Sequence, residues 1–172
     1  NQLNNQLINE GYFNSEIDYM VSFGKHQKAE VFYIVSEGKP YTIKEIKNQI
    51  NDSVLLSYIN RISQDSYLKV GENFNTDKMD HERTRLTKYL LDNGYHFFNK
   101  EFIYFRIDST LGSRQVNVVL GIQNYKIKDI MTDSIVEVKH KQYEIKEVIV
   151  VVDYDSKDNF GSVSQSYQKE TF

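Results

Sequence analysis

No cysteine occurs in these 172 residues, which excludes disulfides, thiolate metal sites and cysteine nucleophiles while leaving the compartment open. An excess of charge of one sign is also missing: 21 basic side chains face 24 acidic ones, for a net charge of −3. The chain therefore lacks the basic footprint of a phosphate-tracking protein, and nucleic acid is not an expected partner. The longest apolar run, Val148 to Val152, is far too short to span a bilayer as a helix, and no charged-then-apolar leader opens the sequence. No glycine-rich loop opens a helix and no Gly-x-Ser-x-Gly elbow occurs. The histidines, His26, His81, His96 and His140, are scattered without ligand spacing. His81-Glu82-Arg83-Thr84-Arg85 begins like a zinc-protease helix, but Arg85 stands where the second imidazole belongs, so the segment reads as a solvated helix face. Asp153 to Asp158 hints at a calcium loop, yet Lys157 takes a ligand place and Asp158 the place of the turn glycine. No catalytic residue, metal or cofactor is expected.

What the chain does have is a copy of itself. Leu3, Leu7, Ile8, Gly11 and Tyr12 return as Leu86, Leu90, Leu91, Gly94 and Tyr95, each shifted by the same 83 positions. Tyr41-Thr42-Ile43-Lys44-Glu45-Ile46 returns as Tyr143-Glu144-Ile145-Lys146-Glu147-Val148, with a fainter echo at Tyr125 to Ile130. A fixed recurrence of helix ends and strand starts predicts a tandem array of small modules, here cut within a module at each end.

Local periodicity fills in the modules. Leu3, Leu7 and Ile8 line one helix face until Gly11. Ile17, Tyr19, Val21 and Phe23 alternate with Glu16, Asp18, Met20 and Ser22 as one strand, and Val31, Tyr33 and Val35 alternate with Glu30, Phe32 and Ile34 as a second, apolar on both sides, that should be the better covered of the two. The single proline, Pro40, marks a link. Tyr41 to Lys47 reads as a strand. Asn51-Asp52-Ser53 can cap a helix with Leu55, Ile59 and Ile62 on its inner stripe. Asn75 or Thr76 can cap a second, with Met79, Leu86 and Leu90 inward and Gly94 at its end. Ile103, Phe105 and Ile107 alternate with Phe102, Tyr104 and Arg106, and Val116 to Ile122 forms the return strand. Residues 124–142 fit neither period and read as an extended linker. Tyr143 to Tyr154 reads as a valine-rich strand.

The order strand, helix, helix, strand, strand resembles the POTRA module (polypeptide-transport-associated domain). The resemblance rests on Leu68-Lys69-Val70-Gly71-Glu72-Asn73-Phe74-Asn75 and on Arg85-Leu86-Thr87-Lys88-Tyr89-Leu90-Leu91-Asp92-Asn93-Gly94-Tyr95. The tyrosine-led Tyr-x-Ile-Lys-Glu strand and the long polar link look most like the BamA/TamA type of outer-membrane assembly protein, in the form found in Bacteroidetes. Three departures stand out: no membrane β-barrel follows within this sequence, the link 124–142 is long for the family, and His96 stands where the first copy has Phe13.

The resemblance implies an α+β fold of tandem modules, each a three-stranded mixed sheet with two helices on one face. It places the back part of one module at 1–38, a complete module at 41–123, a linker at 124–142 and the start of a further module at 143–172. It implies a non-enzymatic arm on the periplasmic side of the outer membrane, anchored by a barrel outside this sequence. The arm would bind unfolded outer-membrane protein clients and other assembly-complex proteins. In the family's sheet the second strand keeps an open edge where an extended client can add as one more strand. Lys100, Phe102, Tyr104 and Arg106 are the candidate partner-binding residues on that strand, the last three projecting away from the side assigned to the helices.

Overall fold

The computed structural model describes residues 2–26, 28–129, 131 and 133–148. Helices form where an apolar stripe follows a capping side chain. Asp52 accepts from the N–H groups of Val54 and Leu55 at 2.9 and 3.3 Å and starts a helix at Ser53–Arg61, whose Leu55 and Ile59 are buried. Asn75 accepts from Lys78 N–H at 3.0 Å and starts a longer one at Thr76–Asp92, with Met79, Leu86 and Leu90 inward. A short amino-terminal helix at Gln2–Asn9 buries Leu7. We label these α2, α3 and α1 in chain order.

The strands are β1 (Glu16–Phe23), β2 (Ala29–Ser36), β3 (Thr42–Gln49), β4 (Ile103–Asp108), β5 (Gln115–Ile122), β6 (Tyr125–Lys128) and β7 (Ile135–Val138). Residues 41–123 thus realise the expected order of strand, two helices and two strands. β5 lies in the middle, parallel to β3 and antiparallel to β4. The fold is α+β, with a mixed three-stranded sheet carrying two helices on one face. Leu55, Ile59, Leu86 and Leu90 meet Ile103 and Leu120 at one end of the layer, while Met79, Leu68 and Phe74 meet Ile43, Val116 and Val118 at the other. Phe105 touches both clusters. Each such side chain fully withdrawn from water contributes about 1.5–3 kcal/mol.

Three local expectations are corrected. β1 and β2 pair antiparallel, yet among the described residues neither face of this hairpin is covered, so β2 is as exposed as β1. The segment 124–142 is not simply extended: β6 and β7 form a hairpin with Tyr125 opposite Val138 and Ile127 opposite Val136. The helix face at His81 to Arg85 is not wholly solvated. Glu82 is only 3% exposed, gripped by Arg85 through Nε and Nη2 at 2.9 and 2.6 Å, and it accepts Tyr67 N–H at 3.1 Å. Arg85 Nη1 continues to the Ile62 carbonyl at 3.0 Å, so this pair ties α3 to the end of α2 and the following loop. Of the strand expected over 143–154, residues 143–148 belong to no strand. The remainder, and the acidic loop at Asp153, lie outside the described residues.

The two copies share a junction. Gly11 and Gly94 end their helices at φ +92° and +85°, the left-handed region where a side chain is strained. Each glycine carbonyl accepts the N–H of the tyrosine that opens the next repeat phrase, Tyr41 at 2.9 Å and Tyr143 at 2.8 Å. A Cβ would also collide there, with Phe74 O at Gly11 and with Tyr143 O at Gly94.

Candidate functional site at the open strand edge

The sheet of residues 42–122 has two edges, and they differ. Along the outer side of β3, the loop between α2 and α3 turns back and pairs: Ile43 N–H donates to Glu72 C=O at 2.8 Å, Gly71 N–H to Ile43 C=O at 2.7 Å, and Phe74 N–H to Tyr41 C=O at 2.8 Å. That edge is occupied over its first residues. At β4, no described backbone hydrogen bond of residues 104–108 reaches a backbone group beyond the ladder to β5.

The ladder decides which groups of β4 are free. Gln123 N–H donates to Phe102 C=O at 2.8 Å, and the register sets Tyr104 opposite Gly121 and Arg106 opposite Val119. Hydrogen-bonded and non-hydrogen-bonded pairs alternate along an antiparallel ladder. Tyr104 and Arg106 therefore direct their N–H and C=O inward to β5, and Phe105 and Ile107 direct theirs outward. Ile103 N–H is spent on Lys100 C=O in the preceding turn. The open row thus consists of the Phe105 and Ile107 amides with the carbonyls of Ile103, Phe105 and Ile107. Sequence reasoning chose this strand but not these backbone groups, because the side-chain alternation that selects the outward residues says nothing about which amides are paired.

The four residues singled out from the sequence fall in three different settings. Lys100 and Phe102 are not on the strand: they belong to a 3-10 turn at Lys100–Phe102, capped by the Asn99 side chain accepting from Glu101 N–H at 2.9 Å. Lys100 reaches Asp80 on α3 at 3.3 Å. Phe102 turns into an aromatic cluster with Phe98, Tyr125 and His140, its ring centroid 4.7 Å from that of His140. Tyr104 and Arg106 do lie on the sheet face away from the helices. Tyr104 packs against Gly121, where any Cβ would collide with the phenol ring, the close approach that a glycine inside a strand permits. Arg106 reaches across β5 to Gln49 Oε1 on β3 at 2.9 Å. The helix-side edge is covered by Arg83, whose guanidinium lies 5.6 Å from the centre of the Phe105 ring.

His140 was missed as a structural residue. It is 7% exposed, with Nε2–H donating to Gln123 C=O at 2.8 Å and its Nδ1 buried without a partner among the described residues. Burial pushes its imidazole below the ordinary value, against the opposing pull of the Gln123 carbonyl and of Asp52. Together with Tyr125, whose hydroxyl donates to Phe97 C=O, it holds the β6–β7 hairpin against the module beside β4. Asp108, at the far end of β4, has its carboxyl held below the usual range by the Thr110 hydroxyl and amide. The edge brings together unpaired backbone groups of β4 with the aromatic and charged side chains of Tyr104 and Arg106.

No family model matches the chain, and no curated protein matches it. Among solved structures it is similar to POTRA domains 3–5 of BamA from Haemophilus influenzae, at 16% identity over 67% of this chain and 44% of that one, with a TM-score of 0.45. It is similar to BamA from Haemophilus ducreyi lacking POTRA domains 1–3, at 16% identity over 70% and 21% of the two chains and a TM-score of 0.43. POTRA domains 1–3 of the periplasmic part of Omp85 from Anabaena give 16% identity, 70% and 47% coverage and a TM-score of 0.38. The chain spans less than half the length of each. The architecture described above stands on its own strand order and core.

Proposed function

We propose that this chain is a periplasmic POTRA region of an outer-membrane protein assembly or translocation factor. In this reading residues 1–38 close one module, 41–123 form a second and 143 opens a third. The region works as a non-enzymatic arm beside a membrane barrel, and its partners are unfolded outer-membrane clients and other assembly proteins. Extended client segments add to β4 as a further strand. The observation that supports this most is the asymmetry of the sheet: the β3 edge is taken by residues 71–74, while β4 presents two amides and three carbonyls in a row. Backbone pairing of this kind tolerates many client sequences, and Tyr104 and Arg106 flank it on the face away from the helices.

The test replaces single backbone amides by esters, which deletes a donor and keeps the side chain. An ester at Phe105 or Ile107 should weaken photocrosslinking to an extended client peptide roughly 2- to 10-fold, the worth of one net hydrogen bond of about 0.5–1.5 kcal/mol. Equal crosslinking in a folded ester variant would overturn the assignment of this edge. A structural connector that binds one folded partner instead would show a single stoichiometric companion on isolation and no dependence on those two amides.

A further inference from the structure

Two arginines flank the open edge of β4, one on each face of the sheet, and neither is neutralised. On the helix side Arg83 projects from α3, its guanidinium 5.6 Å from the centre of the Phe105 ring and its Nε buried with no acceptor among the described residues. On the other face Arg106 is exposed, and its Nη2 donates to the neutral side-chain amide of Gln49 at 2.9 Å. Among the described residues neither arginine lies within ion-pairing distance of a carboxylate. The acids close to them in sequence are held elsewhere. Asp80, one turn before Arg83, is taken by Lys100 at 3.3 Å, and Asp108, two residues after Arg106, accepts from the Thr110 hydroxyl and amide at 2.7 and 3.0 Å.

Packing on a ring does not use up a guanidinium: the flat face is occupied, while the rim of N–H groups stays free for a two-pronged acceptor such as a carboxylate. The chain as a whole carries a net charge of −3, so these two cations are a local feature of the β4 edge and not part of a general positive field. Side chains of an added strand share a face with the residues they lie opposite. A residue opposite Phe105 would therefore point to the helix side, towards Arg83, and its immediate neighbour, opposite Arg106, to the open side.

We infer that β4 selects acidic extended segments, those with two consecutive carboxylates, one received by Arg83 on the helix side and the other by Arg106 on the open side. Asp108 fixes where the pair falls. It lies two residues from Arg106 on the same face and repels a carboxylate placed opposite it, so the acidic pair centres on Phe105 and Arg106 and not further along the strand. The backbone groups of β4 supply the sequence-tolerant part of the pairing, and the two arginines supply the preference. The inference rests on the strand addition proposed above, and the charge of the segment can be varied independently of the backbone donors.

The full 172-residue chain is titrated, by fluorescence anisotropy, with labelled Thr- and Val-rich peptides that carry Glu-Glu, Gln-Gln or Glu-Thr-Glu at the centre. The Glu-Glu peptide should bind about tenfold or more tightly than Gln-Gln, at about three- to fivefold for each ion pair, the upper end of the range for exposed sites. Glu-Thr-Glu has the same charge but puts both carboxylates on one face, so it should gain only one such factor. Arg83→Gln and Arg106→Gln should each remove one factor from the difference between Glu-Glu and Gln-Gln, and Arg83→Lys should restore part of it. Because the charge is varied on the peptide as well, the comparison stands if an Arg83 variant fails to fold. Equal affinity for Glu-Glu and Gln-Gln, equal affinity for consecutive and spaced Glu, or a Glu-Glu preference indifferent to both arginines would each overturn the acidic selection. In any of those cases a loss of binding on placing an ester at Phe105 would leave strand addition at β4 standing without it, whereas Glu-Glu binding indifferent to that ester would overturn the edge and the arginine assignment together.

Discussion

β2 and β5 are built from the same kind of residues, yet one is bare and the other sealed. β5 runs Val116-Asn117-Val118-Val119-Leu120, and its Val116, Val118 and Leu120 are buried under α2 and α3. β2 runs Val31-Phe32-Tyr33-Ile34-Val35, more apolar still, and every member is exposed. The difference lies in the neighbours and not in the strands. β5 has a strand on each side and two capped helices whose stripes match its inner face, whereas among the described residues β2 has β1 as its one strand partner. Hydrophobic content shows that a strand must be covered; the cover itself has to be supplied by other segments.

The largest effect should come from breaking the sealed side at its one buried charge pair. Glu82→Ala leaves the Arg85 guanidinium without its two-pronged partner and the Tyr67 amide without its acceptor. Removing one member of a buried pair costs about 3–5 kcal/mol, a large share of the stability of a small module. Urea unfolding should show the midpoint of the 41–123 unit falling accordingly. A loss below about 1 kcal/mol would mean that the pair behaves as a surface bridge, and that the tie between α3 and the end of α2 is not what holds the helix layer together.

A matched pair of substitutions sharpens the contrast directly. Val118→Thr and Val35→Thr make the same change of one methyl to hydroxyl, at a sealed position and at a bare one. The buried hydroxyl at 118 should cost about 1–3 kcal/mol for want of a partner, and the exposed one at 35 less than about 0.5 kcal/mol. Both are read by thermal unfolding. Equal losses at the two sites would show that β2 is covered in solution.

What could be read in the sequence was what is local. The caps at Asp52 and Asn75, the stripes of α2 and α3, the glycine stops and the strand order all depend on residues within a turn or two of one another, and all appear as expected. The failures have a common cause in distance along the chain or in a change of geometry within it. Phe102 continues the alternation of β4 on paper, but Asn99 caps a tight turn that rotates it into the His140 cluster. The β6–β7 hairpin escaped because Ile135 and Val138, three apart, stand on opposite faces of one strand and so make no stripe, while Tyr125 and Ile127 find their apolar partners ten or so residues away. The occupied edge of β3 was equally invisible, since residues 71–74 fold back on it from beyond α2. At the candidate site, the choice of β4 followed from the module's order, whereas the identity of its free amides required the ladder itself.

The smallest effect is expected where the β6–β7 hairpin meets the module, and it should appear as a pH dependence. His140 is packed among Phe98, Phe102 and Tyr125, with Nε2–H spent on Gln123 C=O and no acceptor at Nδ1 among the described residues. Burial therefore favours the neutral ring in the folded chain and lowers its proton affinity, although the Gln123 carbonyl and Asp52 oppose this, and Lys139 holds Asp52 at 3.8 Å. In the unfolded chain the imidazole takes up its proton near the ordinary value of about 6.5. Folding stability from this residue is thus fully present above that pH and is lost as pH falls from there through the lower folded value, because the unfolded state binds the proton first. Hydrogen exchange at the β6 and β7 amides should quicken on acidification before the amides of β5 respond, and His140→Phe, though itself less stable for want of the Gln123 bond, should remove that difference between the two strand sets. If acidification loosens β5 and β6 together in the native chain, the hairpin is fused to the module core and His140 is not the group that fastens it.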